Sequence, residues 1–318
     1  MRSINNDMEM RAAYARALEE LMEKDERVLL VDADLARANG TLGLRDKFPD
    51  RAMDVGLAEA NMISVAAGLS SYGFIPFAES FAVFASRRVC DMIAISVAYA
   101  KQNVKIVGSD PGLAAELNGG THMAIEDIGV LRSIPDMVIF EPVDCVQIYQ
   151  AIPQIAAHYG PVYTRLFRKK PPASIFGEDY VFDLFSADVL RTGTDVSIFA
   201  SGIEVKEALD AAELLSGEGV SAEVINVHTI KPLDEEAIVR SAAKTGCAVT
   251  AENHNVVGGL GSAVAELLSK RQPVPIEFIG IQDQFALVGK LPFLMERFHM
   301  TAKDIRDAAM KAMARKGT

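Results

Sequence analysis

The feature of this sequence that most constrains its fold is the repeated alternation of short apolar runs with longer amphipathic stretches. An amphipathic segment from about Met8 to Lys24 is followed by a continuous apolar run, Val28 to Val31, which ends at Asp32. A run without polar positions that follows such a helix is typical of a strand buried on both faces of a parallel sheet. The pattern therefore predicts a doubly wound α/β fold.

The alternation continues to about residue 167 and resumes after an interruption. The stretch that begins Arg168-Lys169-Lys170-Pro171-Pro172 is charged, proline-bearing and aperiodic, which is typical of a linker. We therefore expect a first domain over residues 1–167, a linker over 168–188 and a smaller α/β domain over 189–318. In the first domain, further predicted strands at 104–107, 137–140 and 162–167 alternate with predicted helices at about 58–72, 80–100, 124–133 and 144–157.

The second domain repeats the pattern with its own strands and helices. The chain has 318 residues, half of them apolar, which is enough for two hydrophobic cores. The predicted strands are 196–200, 222–227, 248–251 and 276–281, and the predicted helices lie near 203–217, 234–244, 259–270 and 301–314.

Charge and cysteine content exclude several classes of function. The chain has 43 acidic and 32 basic residues and a net charge of -11, so it repels phosphate backbones and anionic membrane surfaces. Cys90, Cys145 and Cys247 are too far apart to indicate a disulfide framework or a metal knuckle. The sequence has neither the pattern of a signal peptide nor an apolar run of membrane-spanning length. We expect a soluble, cytoplasmic protein that binds neither nucleic acid nor membrane.

The most informative segment begins Asp54-Val55-Gly56-Leu57-Ala58-Glu59-Ala60-Asn61 and continues, after a small-residue helix, with Pro76-Phe77-Ala78-Glu79-Ser80-Phe81-Ala82-Val83-Phe84. It resembles the pyrimidine-binding domain of the transketolase family, in which a glycine-containing strand end delivers a glutamate and an aromatic cluster follows. The resemblance covers the whole first domain. It extends through residues 103–107, Gly119-Gly120-Thr121-His122, Glu126-Asp127 and Glu141-Pro142-Val143-Asp144.

The resemblance implies two catalytic residues, Glu59 and His122. Thiamine chemistry needs a carboxyl group beside N1′ of the aminopyrimidine, because proton exchange there prepares the ring to remove the thiazolium C2 proton. Glu59 would supply this carboxyl, and His122 would reach the reacting ketose oxygens as a proton donor or hydrogen-bond partner. Read by themselves, Glu59 could merely complement a helix dipole and His122 could be structural.

The resemblance also implies that aromatic and basic side chains hold the cofactor. Phe81 and Phe84 are three positions apart and would share one face of the helix predicted over 80–100, where they would contact the aminopyrimidine. Arg87, one turn further on, is a third candidate contact. The alternatives are core packing for the phenylalanines and solvent exposure or partner contact for Arg87 and its neighbour Arg88.

Arg165 and Arg11 stand where the resemblance places arginines that bind the terminal phosphate of the sugar, a role that suits a guanidinium fork. Either could instead be a surface arginine paired with a carboxylate.

Three substitutions depart from the family pattern in the substrate region. Asp110 stands where the family has a histidine, and Asn118 stands where it has an aspartate. Ala38 replaces a serine that helps to hold phosphate, and Arg37 is added beside it. Because these changes alter the charge and donor pattern that reads the sugar, we expect an unusual ketose donor that is branched or ends in a sulfonate.

The chain lacks the Gly-Asp-Gly motif and downstream asparagine with which the family binds magnesium and diphosphate. The resemblance therefore implies thiamine diphosphate and Mg²⁺ as cofactors that are held mainly by a partner, the N-terminal subunit, with no metal ligands in this chain. The expected assembly is a dimer of heterodimers. The second domain resembles the family's C-terminal domain through 251–254 and 257–262, where His254 would be structural or interfacial, although the glycines of 258–261 leave nucleotide binding as an alternative.

The expected function is that of the C-terminal subunit of a split transketolase. Together with its partner it would transfer a two-carbon glycolaldehyde unit from a ketose to an aldose phosphate. The alternatives are a β subunit of a 2-oxoacid dehydrogenase E1 component, a deoxyxylulose-phosphate synthase and a non-catalytic assembly subunit. The Gly-Gly-Thr-His-Met and Phe-Ala-Val-Phe patterns favour a transketolase over the first, and a scaffold has little need for a carboxyl beside an aromatic pocket.

Overall fold

A computed structural model describes residues 4–316 and shows two α/β domains, each built on a mainly parallel sheet. The outer bounds predicted for the domains, residues 1 and 318, lie outside the described residues. In the first sheet the parallel strands lie in the order β5-β6-β4-β3-β1-β2. These strands are β1 (Val28–Asp32), β2 (Ala52–Asp54), β3 (Ile75–Phe81), β4 (Lys105–Ser109), β5 (Val138–Phe140) and β6 (Val162–Leu166).

Helices cover both faces of this sheet, which confirms the predicted doubly wound fold. Leu30 and Val31 are neighbours in β1, yet they belong to separate core clusters, because alternate strand residues point to opposite faces. The helices α1 and α7 pack on the first cluster, and α4 and α6 pack on the second. The first domain contains α1 (Met10–Lys24), α2 (Ala36–Asn39), α3 (Leu42–Lys47), α4 (Glu59–Ser71), α5 (Cys90–Met92), α6 (Asp127–Arg132) and α7 (Cys145–Ala157).

The second domain follows a segment between Leu166 and Asp188 that has no helix or strand. Its sheet has the order β12-β11-β8-β9-β7, in which only β7 is antiparallel to its neighbour. The strands are β7 (Asp188–Arg191), β8 (Val196–Ala200), β9 (Ala222–Asn226), β10 (Thr229–Lys231), β11 (Ala248–Asn255) and β12 (Ile276–Ile281). The helices are α8 (Glu204–Gly217), α9 (Glu235–Thr245), α10 (Leu260–Arg271), α11 (Leu291–Arg297) and α12 (Ala302–Ala314).

The prediction of a helix over residues 80–100 is wrong in its first part. Strand β3 continues to Phe81, turns follow it, and helical structure begins only at Arg87. Two buried polar residues, Glu79 and Ser80, interrupt the apolar run of β3 and conceal its strand character in the sequence. Phe81 and Phe84 therefore do not share a helix face, since one ends a strand and the other lies in a turn.

The two domains share a sheet. Strand β10 belongs to the second domain in sequence, but it pairs antiparallel with β5 and extends the sheet of the first domain. Sequence patterns missed β10 because it is only three residues long and its hydrogen-bonding partner is distant in the chain.

A buried arginine joins the domains a second time. Arg165 in β6 has no exposed surface, and its Nε donates to Asp127 Oδ2 at 2.8 Å while its Nη1 donates to Glu141 Oε1 at 2.6 Å. Its Nη2 donates to the backbone oxygen of Asn253 in the second domain at 3.0 Å. Ser201, also in the second domain, donates to the other oxygen of Glu141 at 2.7 Å. The guanidinium and the two carboxylates thus form one hydrogen-bonded network across the domain boundary.

We expect Arg165→Met to lower the free energy of unfolding by about 3–5 kcal/mol, because it leaves two buried carboxylates without a counter-charge. Urea unfolding measures the change. The control is Arg191→Met, which removes an exposed ion pair with Glu213 and should cost no more than about 1 kcal/mol. Equal losses in the two variants would show that the buried network contributes no more than a surface pair.

Candidate active site

The candidate site lies where several neighbouring parallel strands end. Strands β6, β4, β3 and β1 are adjacent in the sheet, and ligands of open α/β sheets bind beyond the carboxyl ends of such strands. The segments that follow these ends carry Arg168 after β6, Asp110 after β4, Phe84 after β3 and Ala38 after β1. The side chains predicted to meet cofactor and substrate are brought together mainly here.

An aromatic cluster forms the centre of the site. The rings of Phe81 and Phe84 have centroids 6.3 Å apart. His122 stands nearly edge-on to both, with centroid distances of 6.1 Å to Phe81 and 5.3 Å to Phe84. Its Nδ1 lies 2.9 Å from the hydroxyl of Thr121. The structure thus brings these predicted residues together, although the two phenylalanines reach the site from a strand end and a turn.

Glu59 adjoins this cluster through an arginine. It is the first residue of α4, is only 5% exposed and lies 3.2 Å from Arg88 Nη1. The Arg88 guanidinium also lies over the ring of Phe84, 4.5 Å from its centroid. Arg87, which the sequence singled out as a cofactor contact, instead pairs with Glu126 and is half exposed. Arg88, left undecided from sequence, is the arginine that contacts Glu59.

Two arginines, Arg168 and Arg11, meet at the backbone oxygen of Ala38, and one of them contacts the cluster. Arg168 lies over the ring of Phe81, 4.8 Å from its centroid, and its Nε donates to Asp110 Oδ2 at 2.8 Å. The backbone oxygen of Ala38 accepts from Arg168 at 3.2 Å and from Arg11 at 2.8 Å. Sequence patterns assigned Arg168 to the linker. Its place just beyond the end of β6 is the signal that could have marked it as a site residue.

The prediction that Arg165 binds the sugar phosphate is wrong, because this side chain is fully buried and its guanidinium is occupied by Asp127, Glu141 and Asn253. Arg37 is exposed on α2, and Asn118 is exposed at the end of a 3₁₀ segment, Gly112–Asn118. Both lie at the surface rather than within the aromatic cluster.

A buried carboxyl supports the segment that carries Arg37 and Ala38. Glu79 in β3 has no exposed surface, accepts from the Tyr14 hydroxyl at 3.0 Å and also accepts from the Thr41 hydroxyl. Burial, together with the nearby charge of Asp32, raises the pKa of Glu79 to about 8. Sequence reasoning gave Glu79 no role. A single acidic residue between the apolar positions of β3 is the signal that could have drawn attention to it.

Within residues 4–316, no group of three or more His, Cys, Asp or Glu side chains is arranged to hold a metal ion. Over the same residues, no helix combines the length and apolar character needed to cross a membrane.

Residues 6–172 match the family model described as the transketolase pyrimidine binding domain, and residues 186–305 match the transketolase C-terminal domain. The chain belongs to the transketolase family. This membership confirms the resemblance and the two-domain fold expected from the sequence, and the family implies dependence on thiamine diphosphate.

Relatives within the transketolase family match this chain almost from end to end. The 6-deoxy-6-sulfo-D-fructose transketolase subunit of Clostridium sp. strain MSTE9 is 55% identical over 96% of this chain and 95% of its own length. One of the apulose-4-phosphate transketolase subunits of Phocaeicola vulgatus is 34% identical over 96% of this chain and 98% of its own. A solved structure described as a split gene transketolase, an inactive β4 tetramer, is 41% identical with a TM-score of 0.89, and covers 97% of this chain and 99% of its own.

We expect Glu79→Gln to flatten the dependence of stability on pH. A carboxyl whose pKa is raised on folding, here from 4.5 to about 8, contributes stability that is complete below pH 4.5 and is lost as the pH rises through about 8. Glutamine keeps the shape of the neutral acid but does not ionise. Urea unfolding at a series of pH values should show the variant gaining on the wild type as pH rises. Parallel profiles would show that Glu79 does not titrate in this range.

Proposed function

We propose that this chain is the C-terminal subunit of a split transketolase, which transfers a two-carbon glycolaldehyde unit from a ketose donor to an aldose phosphate. The observation that carries the proposal is the buried carboxyl of Glu59 beside the cluster of Phe81, Phe84 and His122 at the carboxyl edge of the sheet. Family membership and the transketolase subunits among the relatives support it.

The residues of the site fit the aminopyrimidine of thiamine diphosphate. A buried carboxyl suits a ring nitrogen that exchanges a proton, and the partly buried rings of Phe81 and Phe84 suit a flat heterocycle. Glu59 would hold the proton at this nitrogen, while Phe81 and Phe84 would contact the ring. When bound, the cofactor supplies the electron sink for breaking a carbon–carbon bond next to a carbonyl group.

The remaining side chains would act on the sugar. His122 can donate or accept a proton at a hydroxyl oxygen, because imidazole does both near neutral pH. Asp110 and Arg168 form a hydrogen-bonded pair beside Phe81 that offers both an acceptor and donors to sugar hydroxyls or to a terminal anion. Asn118 and Arg37, which are exposed, would make contact only at the rim of the site.

We further propose that the N-terminal subunit holds Mg²⁺ and the diphosphate, so that this chain acts only together with it. The supporting observation is that relatives named as transketolase subunits have nearly the same span as this chain. The related split gene transketolase structure is an inactive β4 tetramer. The active form would be a dimer of heterodimers in the cytoplasm.

The donor that best fits the anion-binding side of the site is a ketose with a terminal sulfonate. Arg11 is paired with Glu9 and Arg168 with Asp110, so each guanidinium charge is already partly neutralised. A sulfonate carries a single negative charge, whereas a phosphate monoester carries about −1.5 to −2 at neutral pH. The weaker positive field therefore favours the sulfonate. The Clostridium relative is named for a sulfonated ketose, and the Phocaeicola relative is named for a sugar phosphate, which makes a phosphorylated donor the alternative.

We expect Glu59→Gln to lower kcat for ketol transfer by at least about 100-fold, since the amide cannot exchange the proton that the carboxyl exchanges. The assay combines this chain with an N-terminal subunit, thiamine diphosphate and Mg²⁺, and measures aldose formation from sulfonated, branched and phosphorylated ketoses. Glu213→Gln, an exposed change, is the control.

Full turnover by Glu59→Gln would indicate a non-catalytic subunit. Decarboxylation of a 2-oxoacid in place of ketol transfer would move the chain to the dehydrogenase E1 components.

We expect Arg168→Lys to lower kcat/KM for the sulfonated donor by about tenfold, because an ammonium group cannot replace the bidentate fork. A ketose without a terminal anion should be affected much less. Steady-state kinetics with the sulfonated ketose and the ketose without a terminal anion measure this difference. Equal losses with both donors would place Arg168 outside the anion contact. In a separate comparison, the wild type should prefer the sulfonated ketose over its phosphorylated counterpart.

A further inference from the structure

The second domain encloses the segment that carries the substrate-side residues, residues 110–122, here named the site loop. Asn253 holds its beginning, since the side chain accepts from the Leu113 N–H at 2.8 Å and donates to the Pro111 oxygen at 2.9 Å. Near its end, the site loop packs closely against Val288 of the second domain. A Cβ added at Gly119 would lie only 2.8 Å from the Val288 side chain. The second domain therefore forms the wall against which the site loop rests.

Glu116, in the middle of the site loop, adopts a backbone conformation that normally requires glycine. Its φ is 47° and its ψ is −113°, inside the 3₁₀ segment Gly112–Asn118. A residue other than glycine is strained in such a region, and the conformation persists only where the surroundings impose it. None of the contacts described so far for the aromatic cluster or for Glu59 and Glu79 involves Glu116, so the strain needs another explanation.

The carboxylate of Glu116 is bound from two sides. Its Oε1 accepts from the backbone N–H of Leu291, at the start of α11 in the second domain, at 2.9 Å. Its Oε2 pairs with Lys169, the neighbour of Arg168. Burial acts to raise the pKa of this carboxyl, but the hydrogen bonds from Lys169 and from the Leu291 N–H bring the pKa below its usual value. The carboxylate therefore ties the site loop to α11 and to the segment of Arg168.

The backbone of Glu116 is connected to His122 by two successive hydrogen bonds. The Gly119 N–H donates to the Glu116 oxygen at 3.1 Å, and the His122 N–H donates to the Gly119 oxygen at 3.0 Å. These bonds connect the backbone of Glu116 to that of His122, and Asn118 lies between Glu116 and Gly119 in the chain.

We propose that Glu116 is a positioning residue that orients Asn118 and His122 toward the donor by fixing the site loop against the second domain. The second domain thereby takes part in the geometry of the active site without touching substrate. The inference rests on the proposed transketolase function for its kinetic consequence, but the fixing of the loop can be measured without it.

The test compares Glu116→Gly and Glu116→Gln in the complex with the N-terminal subunit. Glycine accepts the backbone conformation but removes the clamp. We expect amide hydrogen exchange in residues 117–122 to become about tenfold faster and the KM for the ketose donor to rise about tenfold, with a smaller change in kcat. Glutamine keeps an acceptor for the Leu291 N–H. Its hydrogen exchange and its donor KM should therefore both lie closer to those of the wild type.

The matched control is Asp136→Gly. Asp136 is also an acidic residue at positive φ, 63°, and pairs with a lysine, Lys101, but it precedes β5 at the opposite end of the strands. Its variant should leave loop exchange and donor KM unchanged. If Glu116→Gly behaves like this control, the proposal is overturned. A fall in Tm with faster exchange throughout the domain and equal losses in kcat and kcat/KM would also overturn it, since that is the pattern of a merely structural role.

A complex without ketol transfer would defeat the proposed function. The exchange measurement would still decide whether Glu116 fixes the loop.

Discussion

Arg165 carries a positive charge with no access to water, and its partners come from both domains. Asp127 at the start of α6 and Glu141 after β5 supply the negative charges. From the second domain, the Asn253 backbone oxygen accepts from Arg165 and the Ser201 hydroxyl donates to Glu141. A buried guanidinium tolerates few geometries once its partners are charged. These contacts therefore fix the relative placement of β6, α6 and β11. Asn253 of β11 also hydrogen-bonds the beginning of the site loop.

The candidate active site, at the carboxyl edge of the same sheet, also contains paired charges. Arg88 lies between Glu59 and Phe84, and Arg168 lies between Asp110 and Phe81. Each guanidinium thus covers one aromatic ring and pairs with one carboxylate, so a charged pair adjoins each of the two phenylalanines. Guanidinium groups suit this place because they stack on rings and still offer hydrogen bonds in their own plane. The arrangement combines an apolar centre with polar ends, as the proposed binding of a flat ring and a sugar would require.

Strands that form a mainly apolar run could be predicted from sequence, whereas a strand whose run is interrupted by polar residues could not. Strands β8 and β12 are found at their predicted bounds, whereas β3 is masked by its buried Glu79 and Ser80. Among the site residues, the meeting of Phe81, Phe84 and His122 was predicted despite the wrong secondary structure. The burial of Arg165 was not predictable, because its partners Asp127, Glu141 and Asn253 are distant in the sequence and meet only in the folded chain.

Because β10 belongs to the first sheet, that sheet can be completed only after part of the second domain has been synthesised. Strand β5 would be an open edge of the first domain, and unpaired edges are where chains associate wrongly. Its cover comes from Thr229–Lys231, well after the last strand of that domain. A nascent first domain therefore carries a bare edge until much of the second domain has been translated, and a protein cut at the linker would carry it permanently. The first sheet is thus completed only by the second domain, even though the sequence divides cleanly into two.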